Sequence, residues 1–235
     1  MQRPRLEALD AAIIDLDGTL VDTLGDFVVA LNLMLRDMGL PAVNRDVVAK
    51  LVGKGSEHLI RSVLAWTGLT DGAIAAPDGY ARAWQLYQQH YQQINGQHAH
   101  AYPGAVAGLE QLRLRGLKLA CLTNKPTEFA MALLQAKGLL GFFERVFGGD
   151  AFARKKPDPL PLLKTCEALG TLPARTLMVG DSSNDAQAAR AAGCPVLLVT
   201  YGYNHGLPVR AVDADGWLDG LDELAAALPP APARR

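Results

Sequence analysis

Five short apolar runs, four of them nearly continuous, constrain the fold of this chain more than any other feature. Nearly continuous apolar runs are typical of parallel strands that are covered on both faces of a sheet. Helix-period segments lie between the later runs, and alternation of strand and helix indicates an α/β protein with a parallel sheet. The predicted strands are AAIIDLD (11–17), LKLACLTN (117–124), RVFGGD (145–150), TLMVGDS (176–182) and PVLLVTYGY (195–203).

The pattern changes over residues 22–100, where no convincing strand occurs and helical periodicity takes over. DFVVALNLMLRDMG, for example, places its apolar residues on one stripe of a helix. We therefore predict a helical insert after the first strand, with residues 1–21 and 101–235 forming the sheet domain. The helical segments of this insert are DFVVALNLMLRDMG (26–39), SEHLIRSVLAWTG (56–68) and PDGYARAWQLYQQHYQQI (77–94).

Four aromatic residues recur at helical spacing in the last of these segments, at Tyr80, Trp84, Tyr87 and Tyr91. A stripe of this kind is predicted to pack in the core of the insert or against the sheet domain. Stacking on a substrate is the alternative interpretation.

Composition and charge limit the class of protein. The chain has 235 residues, of which 49% are hydrophobic and 20% charged, so it can bury a sizeable core. A formal net charge of −1 predicts no broad nucleic-acid or membrane surface. The three cysteines lack metal-type spacing and are predicted to be small buried residues in a reducing compartment. Without a signal-peptide pattern, a cytoplasmic location is predicted, with a frayed tail at 228–235.

Polar residues follow three of the predicted strands at the point where each strand ends. Asp15 and Asp17 follow the first strand, and Gly180-Asp181-Ser182 with Asp185 follows the fourth. The second strand ends in Thr123-Asn124, and a lysine, Lys156, precedes a proline elsewhere in the chain. In an open parallel sheet, ligands bind outside the carboxyl ends of the strands, so these residues are predicted to converge.

Convergence of four carboxylates requires a cation, because each close pair would cost about 4 kcal/mol at 4 Å and an effective dielectric near 20. Oxygen ligands with room for water and phosphate favour Mg²⁺ over a Ca²⁺ cage. The five histidines show no zinc pattern. Each motif alone has an ordinary explanation, such as a turn or a helix cap, but all of them occur in order at strand ends.

Together, these motifs resemble those of the haloacid dehalogenase-like hydrolase superfamily. The resemblance rests on Asp15-Leu-Asp17-Gly18-Thr19, Thr123-Asn124, Lys156-Pro157 and Gly180-Asp181-Ser182 with Asp185, and it extends from about residue 11 to about residue 220. It implies a Rossmann-like core, an α-helical cap domain formed by the insert at 22–100, and Mg²⁺ as cofactor.

The resemblance also implies roles for these residues in hydrolysis of a phosphomonoester. Asp15 is the expected nucleophile, forming an aspartyl-phosphate, and Asp17 the expected general acid and base. Asp15, Asp181 and the backbone carbonyl of Asp17 are expected to hold the metal, with Asp185 supporting Lys156 or the metal shell. The expected phosphate-binding residues are Gly18, Thr123, Asn124 and Lys156.

The cap is expected to select the substrate. The stretch Gly53-Lys54-Gly55-Ser56 lacks the upstream glycine and the preceding strand of a P-loop, so we interpret it as a flexible loop over the site. Lys54, His58 and Arg61 are candidates for contacting a substrate carboxylate, as a two-carbon acid phosphate would require. Ordinary solvent-facing charges are the alternative for each of them.

The reaction that the resemblance implies is hydrolysis of a small phosphomonoester, with 2-phosphoglycolate as the expected substrate. We expect a monomer or homodimer. A phosphatase for a sugar phosphate and a phosphosugar mutase would share these motifs, and both remain alternatives. A haloacid dehalogenase has no alkoxide to protonate, so Asp17 speaks against it. A catalytically silent phosphate-binding regulatory module is the alternative from a different class, and the intact motif residues oppose it.

Overall fold

The computed structural model describes residues 9–228, so the predicted tail lies almost wholly outside the described residues. The strands are β1 (Ala11–Ile14), β2 (Val21–Asp22), β3 (His100–Ala101), β4 (Lys118–Leu122), β5 (Arg145–Phe147), β6 (Thr176–Gly180), β7 (Val196–Val199) and β8 (Gly216–Leu218). The helices are α1 (Leu24–Asp37), α2 (Arg45–Leu51), α3 (Ser56–Trp66), α4 (Asp71–Ala75), α5 (Arg82–Ile94), α6 (Ala105–Leu114), α7 (Thr127–Ala136), α8 (Leu160–Leu169), α9 (Ser183–Ala192) and α10 (Leu224–Ala227).

The main sheet has six strands in the order β5-β4-β1-β6-β7-β8, and every neighbouring pair is parallel. Strand β1 lies between β4 and β6, with Ile14 opposite Cys121 on one side and Val179 on the other. The carboxyl end of β1 is therefore flanked by those of the two strands that precede Thr123 and Asp181.

Helices cover both faces of the sheet. Ile14 belongs to a buried cluster that includes residues of α6 and α7, whereas Ile13 belongs to a cluster with residues of α8 and α9. Alternate residues of a strand point to opposite faces, so β1 must be apolar throughout. The predicted α/β parallel sheet is confirmed, and each of its five predicted strands is present, although the run at 195–203 leaves the sheet after Val199.

Two strand pairings were not predicted. Strand β8 adds a sixth strand beside β7, and β2 pairs with β3 in a separate antiparallel ribbon at the points where the chain leaves and re-enters the core. These strands contain only two or three residues each, too few to show a period.

Helices α1 to α5 occupy residues 24–94 and pack around a buried cluster of their own, which contains Phe27, Tyr87 and Tyr91. The aromatic stripe accordingly packs in this helical unit, as predicted. Tyr203 and Phe129, from outside the unit, join the same cluster. We refer to this unit as the cap, and the boundaries 1–21, 22–100 and 101–235 remain our proposal for the domains.

The three cysteines are free and buried, as expected. Over residues 9–228, no helix combines the length and the apolar character needed to cross a membrane.

Candidate active site

A tight turn carries Asp17 beyond the end of β1. The carbonyl of Leu16 accepts hydrogen bonds from the N–H groups of residues 19, 20 and 21, and the Gly18 N–H donates to Val21. Gly18 has φ +85°, and a Cβ there would lie 2.2 Å from Asp181 Oδ2. The turn thus requires glycine for two reasons, its backbone conformation and its close approach to Asp181.

Lys156 lies buried between two carboxylates. Its Nζ is 3.0 Å from Asp15 Oδ1 and 2.7 Å from Asp185 Oδ1, and it also donates to the Leu122 carbonyl at 2.9 Å. Burial disfavours the ammonium charge, but the two carboxylates outweigh this effect and raise the pKa of Lys156. Lys156 is therefore a fixed positive charge directly beside Asp15.

The side chain of Asn124 holds the backbone of Lys156 in place. Asn124 Nδ2 donates to the Lys156 carbonyl at 2.9 Å, and the Lys156 N–H donates to Asn124 Oδ1 at 3.1 Å. These bonds occupy the side-chain amide. The predicted contact of Asn124 with phosphate would therefore be made by its backbone N–H. Thr123, in contrast, is buried and lines the candidate pocket.

Asp185 performs two tasks at the start of α9. Its Oδ2 accepts hydrogen bonds from the N–H groups of Asp181 and Ser182 and from Ser182 Oγ, at 2.8 to 3.2 Å, while Oδ1 receives Lys156. Together with Ser182 it forms a capping box. The ordinary interpretation of this acid as a helix cap and its predicted support of Lys156 are thus compatible.

Three buried carboxylates could hold a metal ion. Asp15, Asp181 and Asp185 each offer an oxygen, and these oxygens lie within 4.8 Å of one another. Burial raises the pKa of Asp15 to about 7, against the opposing effect of Lys156. Burial and the neighbouring carboxylates also raise the pKa of Asp181 well above its usual range. The cluster holds more negative charge than Lys156 offsets, and its all-oxygen donor set is suited to a hard divalent cation.

Tyr203 connects this cluster to the start of the cap. Its N–H donates to Asp181 Oδ2, while its hydroxyl contacts Asp22 and accepts the Leu24 N–H at 3.2 Å. Helix α1 begins at Leu24. Sequence reasoning missed Tyr203, because the predicted last strand included it, whereas the chain leaves the sheet and turns back toward the site.

Lys125 is a second residue that sequence reasoning missed. Its buried Nζ is 3.0 Å from Asp17 Oδ1 and lies 4.5 Å and 4.7 Å from the ring centroids of Phe27 and Tyr91, both in the cap. The only signal in the sequence was its place just after Thr123-Asn124 at a strand end.

The cap loop between α2 and α3 lies over the site. The Gly53 carbonyl accepts hydrogen bonds from Asn124 Nδ2 at 3.2 Å and Asn184 Nδ2 at 3.1 Å. Gly53, Gly55 and Ser56 line the pocket beneath. The predicted loop is therefore in contact with the core through hydrogen bonds to a backbone carbonyl.

The three predicted cap side chains are exposed and do not line this pocket. Arg61 pairs with Glu57 at 3.0 Å and lies over the ring of Tyr80. His58 lies 3.4 Å from Ser62 Oγ, and Lys54 belongs to the exposed side of the loop. The structure thus brings together the predicted core residues but places Lys54, His58 and Arg61 outside.

The pocket between core and cap has a volume of about 400 Å³, counting space open to solvent. Its lining is Asp15, Asp17, Phe27, Val52, Gly53, Gly55, Ser56, Leu59, Thr123, Asn124 and Lys125. The lining combines the predicted reactive acids at one end with apolar cap residues at the other. A small polar molecule is the ligand that such a space admits.

Comparison with known proteins identifies the class. Residues 12–199 match the family model described as haloacid dehalogenase-like hydrolase, and the chain belongs to this family. The predicted family, including its fold, is therefore confirmed.

Two proteins named phosphoglycolate phosphatase, and one solved structure, are similar to this chain over nearly its whole length. A protein of Thiobacillus denitrificans named phosphoglycolate phosphatase is 43% identical over 92% of this chain and 94% of its own length. One of Nitrosospira multiformis with the same name is 44% identical over 92% and 93%. The crystal structure of a predicted phosphoglycolate phosphatase from Haemophilus somnus is 31% identical, with a TM-score of 0.88 over 94% of this chain and 98% of its own.

Proposed function

We propose that this protein is a Mg²⁺-dependent phosphatase that hydrolyses 2-phosphoglycolate to glycolate and phosphate. The observation that carries the proposal is the position of Asp15 just after the central strand, 3.0 Å from Lys156 and in the lining of the pocket between core and cap. The names of the relatives support both the phosphoric monoester hydrolase activity and the substrate.

Asp15 is the nucleophile in this proposal. A carboxylate oxygen of Asp15 bonds to phosphorus while the bond from phosphorus to the ester oxygen breaks, which gives an aspartyl-phosphate and the leaving alkoxide. Water then attacks phosphorus, and release of phosphate restores Asp15. Hydrogen bonds from Lys156 and the Leu16 N–H hold the carboxylate in place for attack.

Asp17 supplies the general acid and base. It donates a proton to the leaving oxygen in the first step and takes a proton from water in the second, and such help is worth about 10² to 10⁴ in rate. The turn after β1 places Asp17 in the pocket lining beside Asp15. Its position two residues after the nucleophile gives it access to the leaving-group side.

The transferred phosphoryl group needs positive charge and hydrogen-bond donors around its oxygens. Thr123 Oγ1 and the backbone N–H groups of Asp17 and Asn124 are the donors that we assign, with the Lys156 ammonium as the positive charge. The Gly18 N–H is not among them, because it donates to the Val21 carbonyl at 2.9 Å. Lys156 supplies positive charge from a fixed position, because Asn124 holds its backbone and Asp185 its ammonium. Its three hydrogens are directed to Asp15, Asp185 and the Leu122 carbonyl, so its contribution to the phosphoryl group is electrostatic.

Asp15, Asp181 and the Asp17 carbonyl would hold Mg²⁺, and Asp185, whose oxygen lies within 4.8 Å of those of Asp15 and Asp181, would support Lys156 or the metal shell. The excess negative charge among these buried carboxylates is what makes the site suitable for the ion. When bound, Mg²⁺ supplies positive charge that reduces repulsion between the nucleophile and the phosphate.

Cap closure would exclude water from the transfer step. The Gly53 carbonyl contributes to closure, because it bonds to amides of Asn124 and Asn184 from the core. We propose that the protein acts in the cytoplasm as a monomer or homodimer.

The test is release of inorganic phosphate from a panel of 2-phosphoglycolate, sugar phosphates and pyrophosphate, with Mg²⁺ and with a chelator. We expect the highest kcat/KM for 2-phosphoglycolate, loss of activity with chelator, and no turnover by Asp15→Asn. Equal rates across the panel would refute the substrate but keep the reaction class. Conversion of a sugar phosphate to its isomer without phosphate release would favour a mutase, and an inert protein would favour a regulatory module.

A further inference from the structure

Lys125 is a buried charge that the mechanism above does not use. Its side chain is 2% exposed, and Asp17 is the carboxylate that pairs with it among the described residues. A buried ammonium is expensive unless it is paired or has a function, because burial removes its hydration. Asp17 accepts one hydrogen bond from this ammonium, and the other two hydrogens have no oxygen acceptor among residues 9–228.

Two aromatic rings of the cap surround the remaining side of this ammonium. Phe27 lies in α1 and Tyr91 in α5, with centroids 4.5 Å and 4.7 Å from Lys125 Nζ. Ring faces attract a cation but offer no lone pair of an acceptor oxygen. The rings therefore hold the ammonium in position while leaving it able to bind an anion in the pocket.

The residues that line the pocket make Lys125 the candidate for binding a second anionic group of the substrate, in addition to its phosphate. Lys125 is the one cationic side chain among the described residues that line the pocket, and the cap lining around it includes the apolar side chains of Phe27, Val52 and Leu59. Lys54 and Arg61 are exposed outside it. Lys125 is therefore the lining side chain whose charge can pair with a negatively charged leaving group, whereas the hydroxyl groups of Ser56 and Thr123 offer only neutral hydrogen bonds.

The distances agree with this assignment. Asp17 is assigned to the leaving oxygen, and Lys125 Nζ lies 3.0 Å from Asp17 Oδ1. In a two-carbon acid phosphate, one methylene group separates the leaving oxygen from the carboxylate carbon. Because the Lys125 ammonium is in hydrogen-bond contact with Asp17, it lies close enough to the leaving oxygen to reach that carboxylate.

We infer that Lys125 binds the carboxylate of the substrate and so selects an acidic leaving group over a neutral one. The inference rests on the proposed function. It assigns recognition of the carboxylate to a core lysine held by cap rings, and no longer to Lys54, His58 or Arg61. Charge-assisted hydrogen bonds are the strong ones, and this one forms beside buried aromatic rings, where charges are screened less than in bulk water. Because the rings belong to the cap, the carboxylate site is complete only when the cap lies over the core.

The experiment compares two substrates that differ in the carboxylate, 2-phosphoglycolate and 2-hydroxyethyl phosphate, in wild type and Lys125→Met. We expect wild type to prefer 2-phosphoglycolate, and Lys125→Met to lose about 10- to 100-fold in kcat/KM for it, the range of one hydrogen bond to a charged group. The loss for 2-hydroxyethyl phosphate, which shares any effect of the substitution on Asp17 but has no carboxylate, should be clearly smaller, so that the selectivity ratio falls. Lys164→Met, an exposed lysine on α8, is the matched control and should keep the ratio.

Four outcomes decide the inference. Equal losses for both substrates would assign Lys125 to the positioning of Asp17 and overturn it. A ratio retained in Lys125→Met but lost in Lys54→Met would return recognition to the cap loop. A wild-type ratio near one would refute the proposed substrate and this inference with it, whereas a high ratio retained in Lys125→Met refutes the inference alone. Circular dichroism verifies folding, and Lys125→Gln repeats the test if the methionine variant does not fold.

Discussion

Replacing Asp15 with asparagine should stabilise the metal-free protein while it abolishes turnover. In the absence of a cation, Asp15, Asp181 and Asp185 share one ammonium, that of Lys156. Burial raises the pKa of Asp15 to about 7, and this effect exceeds the opposing attraction of Lys156. An asparagine at this position removes a negative charge but keeps an oxygen that can accept from Lys156 Nζ and from the Leu16 N–H.

The magnitude follows from the difference between the folded and the ordinary pKa. For Asp15 the value rises from 3.8 to about 7. At about 1.36 kcal/mol per pKa unit, ionised Asp15 lowers the free energy of unfolding by at most about 4 kcal/mol. Below pH 3.8 the carboxyl is protonated in both the folded and the unfolded chain, so the penalty vanishes. It grows as the pH rises from about 4 and is complete above about 7.

Urea unfolding in the presence of a chelator measures this effect. Asp15→Asn should exceed wild type in free energy of unfolding at pH 8, by up to about 4 kcal/mol, and the gain should shrink toward zero near pH 4. Saturating Mg²⁺ should stabilise wild type more than the variant, because ligand binding to the folded state adds stability. Asp46→Asn, on an exposed position of α2, should change little at either pH. A variant no more stable than wild type at pH 8, or a gain independent of pH, would refute the reasoning.

Three further predictions concern the same site. Asp17→Asn should lower kcat for 2-phosphoglycolate by about 10² to 10⁴, with a smaller loss for an aryl phosphate whose leaving group needs no proton; equal losses in steady-state assays would contradict its role as acid. Lys156→Met leaves buried carboxylates without their ammonium and should lower the free energy of unfolding by about 3–5 kcal/mol, as measured in urea with chelator present. Gly18→Ala would place a Cβ 2.2 Å from Asp181 Oδ2 and should raise the Mg²⁺ concentration for half-maximal activity at least about tenfold; an unchanged Mg²⁺ titration would show that the turn adapts.

The core of the fold could be predicted because its strands are buried on both faces. Strand β1 must present apolar residues to two helical layers, and its sequence shows this directly, as do β4, β6 and β7. Strand β8 has three residues, and its pairing depends on β7 already being in the sheet. The ribbon between β2 and β3 joins residues that are 78 and 80 positions apart, and no local signal encodes such a contact.

The core residues of the site could be predicted for a related reason. Asp15, Thr123 and Asp181 each follow a strand, and neighbouring parallel strands bring their carboxyl ends together whatever the intervening sequence. The cap residues could not be placed in this way. Which side of the loop at Lys54 faces the pocket depends on how α2 and α3 dock, and the sequence carries no periodic signal for that docking.

The short segment after β4 explains why three adjacent residues of different chemistry occur there. Thr123 faces the pocket, Asn124 fixes Lys156 and bonds to Gly53 of the cap loop, and Lys125 meets the cap rings. A displaced cap would lose its hydrogen bond to Asn124 and expose Lys125 to water at the same time. Under our proposals, closure therefore assembles both the leaving-group site and the shielded phosphate site through one segment. The ability to exclude water and the ability to select an acidic substrate should consequently fail together in variants that loosen the cap.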